Sequence, residues 1–148
     1  MRFIITEQPG QNAAHPNADA PFDEELFASY MKFNEELHKA GVLVTAEGLN
    51  PAGRGARVEL KNGKRMLVDG PFTESKELVG GFYIIEVDSL DEAIDWALKC
   101  PTGLGFDDVL VIRQLTGEAD IPPQVLEVAR RVAPTWTATF GKRTNATP

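Results

Sequence analysis

Residues suited to special backbone geometry and ionisable residues coincide in one place: Val68-Asp69-Gly70-Pro71-Phe72-Thr73-Glu74-Ser75-Lys76-Glu77, with Gly80-Gly81-Phe82 close behind. Asp69 ends a run of strand formers just before a Gly-Pro corner. A carboxylate fixed there can serve as a general base or accept from a ligand. It can equally accept the backbone N–H groups of its own turn, and the two roles are compatible. Lys76 can hold an anionic ligand or pair with Asp69 or Glu47, while Phe72 either walls a pocket or fills core. Glu74, Lys76 and Glu77 also read as a solvated charge run. A second acid, Glu47, falls in a strand-forming stretch on a face expected to be partly covered, and a covered carboxylate needs a partner. Were Asp69 and Glu47 close, their repulsion would raise one pKa and make a usable acid or base. The candidates are therefore Asp69 and Glu47 for catalysis, and Phe72, Lys76, Glu77 and Gly81 for ligand binding. Gly80-Gly81 permits a bulge or a close backbone approach.

Other chemistry is sparse. Two histidines, His15 and His38, and one cysteine, Cys100, have no metal-ligand spacing, so no metal and no cofactor is expected. Cys100 sits in an apolar helical run before Pro101 and reads as a buried structural thiol. Gly53-Arg54-Gly55 lacks the Lys-Ser/Thr of a phosphate loop. Ser75 and Ser89 have no histidine partner in view.

The elements that must position these groups follow from periodicity. Arg2–Glu7 reads as a strand, followed by a loop from residue 8 to 21. Leu26, Tyr30, Phe33 and Leu37 share one helical face between about 22 and 40, Phe27 and Met31 widen it, and Gly41 stops the helix. Residues 42–49 alternate as a strand, with Val42, Val44 and Ala46 opposite Leu43, Thr45 and Glu47. Residues 56–60 and 64–69 form a hairpin turned at Asn62-Gly63. Residues 81–88 make an apolar strand. It runs into Ser89 and Glu92, a capping box for a helix ending near Lys99. A last strand spans 108–115, a short helix 122–132, and the tail from Gly141 is small and polar.

The order β-α-β, hairpin, β-α-β is the split βαβ, ferredoxin-like plan: an α+β fold with an antiparallel sheet and both main helices on one face. Residues 1–117 would form that domain and 118–148 a helical extension with a flexible tail. The strands carry apolar residues at both parities, Tyr83, Ile85 and Val87 one way and Phe82 and Ile84 the other. A sheet apolar on both faces needs cover on both, so a homodimer packing sheet on sheet is expected; the terminal helix is the alternative cover.

These residues resemble a known family. Val68-Asp69-Gly70-Pro71-Phe72, Glu74, Lys76-Glu77, Gly81-Phe82, Ser89-Leu90-Asp91-Glu92-Ala93, Trp96-Ala97 and Pro101 are similar to the DGPF family of YCII-related proteins. The likeness extends to Tyr30, Phe33-Asn34-Glu35-Glu36-Leu37, Ala40-Gly41-Val42-Leu43 and Glu47-Gly48-Leu49, over roughly residues 1–117. It implies a dimeric α/β-barrel of ferredoxin-like subunits with a cleft of no established reaction, and a genomic association with extracytoplasmic-function sigma factors. Some relatives are proposed to use a His-Asp pair, but His15 and His38 match no motif position.

Composition bounds the function. In 148 residues, a net charge of −7 argues against a nucleic-acid surface. No stretch approaches the roughly 18 apolar residues of a membrane span, and the opening residues are not a signal peptide, so a cytoplasmic protein is expected. Two functions remain. One is a small-molecule enzyme or ligand-binding protein with a cleft near Asp69–Phe72. The other is a regulatory, protein-interacting module tied to sigma-factor-dependent transcription. The residues alone do not decide whether the chain is an enzyme.

Overall fold

A computed structural model describes residues 1–10, 23–50, 55–68, 79–101 and 108–140. The strands among them are β1 (Arg2–Pro9), β2 (Leu43–Gly48), β3 (Arg57–Lys61), β4 (Lys64–Val68), β5 (Gly81–Glu86) and β6 (Asp108–Gln114). The helices are α1 (Glu24–Lys39), α2 (Leu90–Ala97), α3 (Pro123–Val132) and the four-residue α4 (Pro134–Thr137). Four strands form an antiparallel sheet in the order β2-β5-β1-β6, and β3 and β4 pair as a separate two-stranded sheet. Each main helix joins two parallel strands that are separated by a third, which is the ferredoxin-like topology expected from the element order.

Local chemistry sets the helix ends. Asp23 caps α1 by accepting from the Leu26 N–H at 2.9 Å. At the other end Gly41 adopts φ +72°. The Gly41 and Val42 N–H groups then donate back to the His38 and Leu37 carbonyls, a Schellman closure. Ser89 caps α2 by accepting from the Glu92 N–H at 3.1 Å. The expected reciprocal bond is displaced by one residue: the Glu92 carboxylate accepts from the Asp88 N–H, not from Ser89. In the hairpin, Asn62 and Gly63 both have positive φ, as the two-residue turn requires.

The core lies between the helices and one face of the sheet. Phe3 and Ile5 of β1, Tyr83 and Ile85 of β5, and Val87 pack against Phe33 and Leu37 of α1 and Ala93 and Ala97 of α2. Burying each of the large residues contributes about 1.5–3 kcal/mol. Phe33 meets Tyr83 edge-on at 5.4 Å between ring centroids. Both helices therefore cover one face, and Ile4, Thr6, Phe82, Ile84 and Val111 lie on the other, partly exposed.

Three expectations need correction. β1 continues to Pro9, which pairs with Asp108, where a loop was expected from residue 8. Phe27 and Met31 stay exposed and do not widen the buried stripe, because α1 turns its Tyr30, Phe33 and Leu37 flank to the sheet. Strict alternation in β2 fails, because the register shifts between Leu43 and Thr45, and Val42, Leu43 and Ala46 all pack toward the core.

Candidate functional site

Along β1, the residues facing the helices are Phe3, Ile5 and then Glu7. Period-two geometry carries this acid into the core face, and at 5 % exposure it is the buried charged residue among those described. The Tyr30 hydroxyl, reaching in from α1, donates to Glu7 Oε1 at 2.5 Å. No lysine or arginine pairs with the carboxylate among the described residues. Burial pushes the Glu7 carboxyl above its ordinary 4.5; the bond from Tyr30 pulls against that, and the charge of Asp108 adds to it.

Other weakly acidic groups surround the pair. Asp108 enters through its pairing with Pro9 at the start of β6. Tyr83 projects from β5, and its phenol and the Cys100 thiol, just beyond α2, each bear on the other's ionisation. Burial raises both phenols far above the usual range, and the hydrogen bond to Glu7 raises Tyr30 further. Burial also pushes the Cys100 thiol up to about 11, so it stays protonated at neutral pH and is a poor nucleophile. One turn after Tyr30, Asn34 Oδ1 is buried with no hydrogen-bond partner among the described residues. The centre thus offers a carboxyl, two phenols and a thiol, each holding its proton more firmly than the free group does. That set can donate or take up a proton and can hydrogen-bond a small polar molecule.

The sequence candidates fall differently. Asp69, Phe72, Lys76 and Glu77 lie outside the described residues. Glu47 is exposed on β2 opposite Phe82, on the sheet face away from the helices, with Thr45 Oγ1 3.5 Å from its Oε1. Gly81 pairs with Glu7 on one side and Gly48 on the other. A Cβ there would stand 3.0 Å from the Glu47 carbonyl, so close approach of β2 accounts for the glycine. The Gly80 N–H donates to the Glu7 carbonyl at 2.8 Å, so the chain leaving the Asp69–Glu77 motif enters the sheet directly beside Glu7.

Sequence reasoning missed Glu7, Tyr30 as a polar group, and Asp108. A signal existed for the first two. Glu7 continues the parity of Phe3 and Ile5, and Tyr30 shares a stripe with Phe33 and Leu37. Each is a polar end on an otherwise apolar face. Nothing in the spacing could show that the two faces meet. His38 is exposed at the end of α1, away from the buried stripe.

Residues 1–114 match the model of the YCII-related domain. An uncharacterised protein of Rhizobium meliloti (strain 1021) is 36% identical over 75 residues, which is 51% of this chain. The match spans 60% of that relative's length. A solved structure, 5-chloro-2-hydroxyhydroquinone dehydrochlorinase from Burkholderia phenoliruptrix AC1100 in complex with 2,5-dihydroxybenzoquinone, is similar at TM-score 0.40 and 15% identity, over 82% of this chain and 100% of that one. A likeness that remote carries no argument about chemistry.

Proposed function

The chain belongs to the YCII-related domain family, and on that premise we propose that it is a small-molecule enzyme or ligand-binding protein whose proton-handling centre is Glu7 with Tyr30. The observation that carries this reading is a buried carboxyl held by a single phenol and by no cation among the described residues. A purely structural position would gain stability from an apolar residue, because a buried acid costs desolvation that one neutral hydrogen bond does not repay. A buried acid so held suits a group that must exchange a proton with something it binds. Glu7 acts as the acid or base, Tyr30 holds and polarises it, and Asn34 Oδ1 offers an acceptor.

The motif residues Asp69, Phe72, Lys76 and Glu77 belong to the proposal as contributors to the cleft. Its support there is chain continuity, since Gly80 is bonded to Glu7. Gly81 joins the proposal through its pairing with Glu7, whereas Glu47, exposed on the opposite sheet face, stands apart from this centre. The proposal also includes a homodimer through the open sheet face, supported by the apolar Ile4, Phe82, Ile84 and Val111 on it. The regulatory reading draws no support from the fold or from the relatives. No helix among the described residues is long and apolar enough to cross a membrane.

The test is native mass spectrometry of small molecules retained through purification. Wild-type protein should carry a bound metabolite that Glu7→Gln loses while keeping its fold by circular dichroism. Equal retention by both proteins would overturn the assignment to Glu7.

A further inference from the structure

α2 turns a row of large aliphatic side chains to solvent. Its fully buried positions are alanines, Ala93 at 0% and Ala97 at 7% exposure, with Trp96 partly buried against the core, while Leu90, Ile94 and Leu98 stand in a row at i, i+4 and i+8 on the outside, Leu98 at 78%. Three large aliphatic side chains left in solvent are more than one isolated chain would favour. Asp91 and Asp95 flank the row and are exposed.

A matching surface exists elsewhere on the same chain. In the β3–β4 hairpin, Val58 faces Leu67 and Leu60 faces Arg65 across the strands, which places these four on one face. The other face carries the ion-paired Arg57, Glu59 and Lys61 with Lys64, Met66 and Val68. The hairpin therefore has a more charged side and a more apolar side, and on the more apolar side Val58, Leu60 and Leu67 are 56%, 61% and 64% exposed. A two-stranded sheet is marginal in water unless its apolar side is packed. The hairpin is also basic: Arg57, Lys61, Lys64 and Arg65 oppose Glu59 alone, in a chain whose net charge is −7.

We propose that the hairpin of one protomer docks on α2 of a second copy of this chain, Val58, Leu60 and Leu67 against Leu90, Ile94 and Leu98, with Arg65 facing Asp91 and Asp95. The occupant is identified by complementarity: an apolar strand pair edged with cations meets an apolar helix row edged with acids. In a twofold dimer the contact forms twice, since each copy supplies both surfaces. It uses the hairpin and the helical side of the sheet, so it is separate from any contact through the open sheet face.

The test is disulfide trapping in the full chain carrying Leu67→Cys and Ile94→Cys. Under mild oxidation, a species of twice the 16.2 kDa chain mass should form several-fold more than with either single variant, both of which retain Cys100 as background. Peptide mapping should place the link between the two introduced thiols. Adding Arg65→Glu should suppress trapping, and Asp91→Lys with Asp95→Lys should restore it. A link formed within one chain, no link, trapping indifferent to these charges, or equal trapping of Ile94→Cys by Val128→Cys on α3 would each overturn the proposal.

Discussion

The Tyr30 hydroxyl lies 2.5 Å from Glu7 Oε1, joining the first helix to the first strand through a buried carboxyl. This contact links the fold to the proposed chemistry. The strand's alternation buries the acid, the helix's stripe delivers the phenol, and burial holds the proton on the carboxyl above the ordinary range.

Glu7→Gln should change the pH dependence of stability in a definite sense. The folded pKa of Glu7 is raised, so the folded state holds a proton that the unfolded chain releases above about 4.5. Wild-type stability therefore falls as pH rises from 4.5 through the raised value. The glutamine keeps an acceptor for Tyr30 and does not ionise. Thermal denaturation should show Glu7→Gln above wild type at pH 7, with the gap closing toward pH 4.5. A gap that widens on acidification would contradict the assignment.

Tyr30→Phe removes the hydrogen bond to a buried acid. Leaving that group unsatisfied costs about 1–3 kcal/mol. Urea denaturation at pH 7 should register a loss of that size with an unchanged slope. A neutral substitution would mean that the contact does not form.

Gly81→Ala tests the close approach of β2. The new methyl meets the Glu47 carbonyl at 3.0 Å, and backbone cannot swing aside as a side chain can. Overpacking of this kind costs about 1–3 kcal/mol. The variant should unfold at lower urea, and a stabilised variant would show that the approach is looser than described.

Cys100 should alkylate slowly. With the thiol held up to about 11, reaction with iodoacetamide at pH 7 should run below the rate of free cysteine and climb steadily to pH 10. A rate that levels off near pH 8 would place the thiolate in an ordinary environment.

Much of the fold was legible because each element repeats a simple period. Leu26, Tyr30, Phe33 and Leu37 mark α1, Asn62-Gly63 marks a hairpin, and Ser89 marks a helix start; the order of elements then leaves few topologies. The family membership rests on motif residues that the sequence displays openly, and it is borne out over residues 1–114. What escaped was long-range. The register shift at Leu43–Thr45 depends on how β2 fits β5, which no local pattern records. The outward row on α2 was hidden because Leu90, Ala93, Ile94, Ala97 and Leu98 are all apolar, and periodicity does not say which flank meets the sheet. At the site, the acids of the Asp69–Glu77 stretch are conspicuous in the sequence. Glu7 passed as the end of a strand, although its parity with Phe3 and Ile5 was there to be read.

The most direct test of the central claim is a carboxyl-carbon NMR titration of Glu7, assigned by comparison with Glu7→Gln and repeated in Tyr30→Phe. The carboxyl should ionise above 4.5 in the wild-type protein, and higher again once the phenol that favours its charged form is gone. Ionisation at or below 4.5, or a midpoint that drops in Tyr30→Phe, would contradict a proton-holding centre at Glu7 and Tyr30.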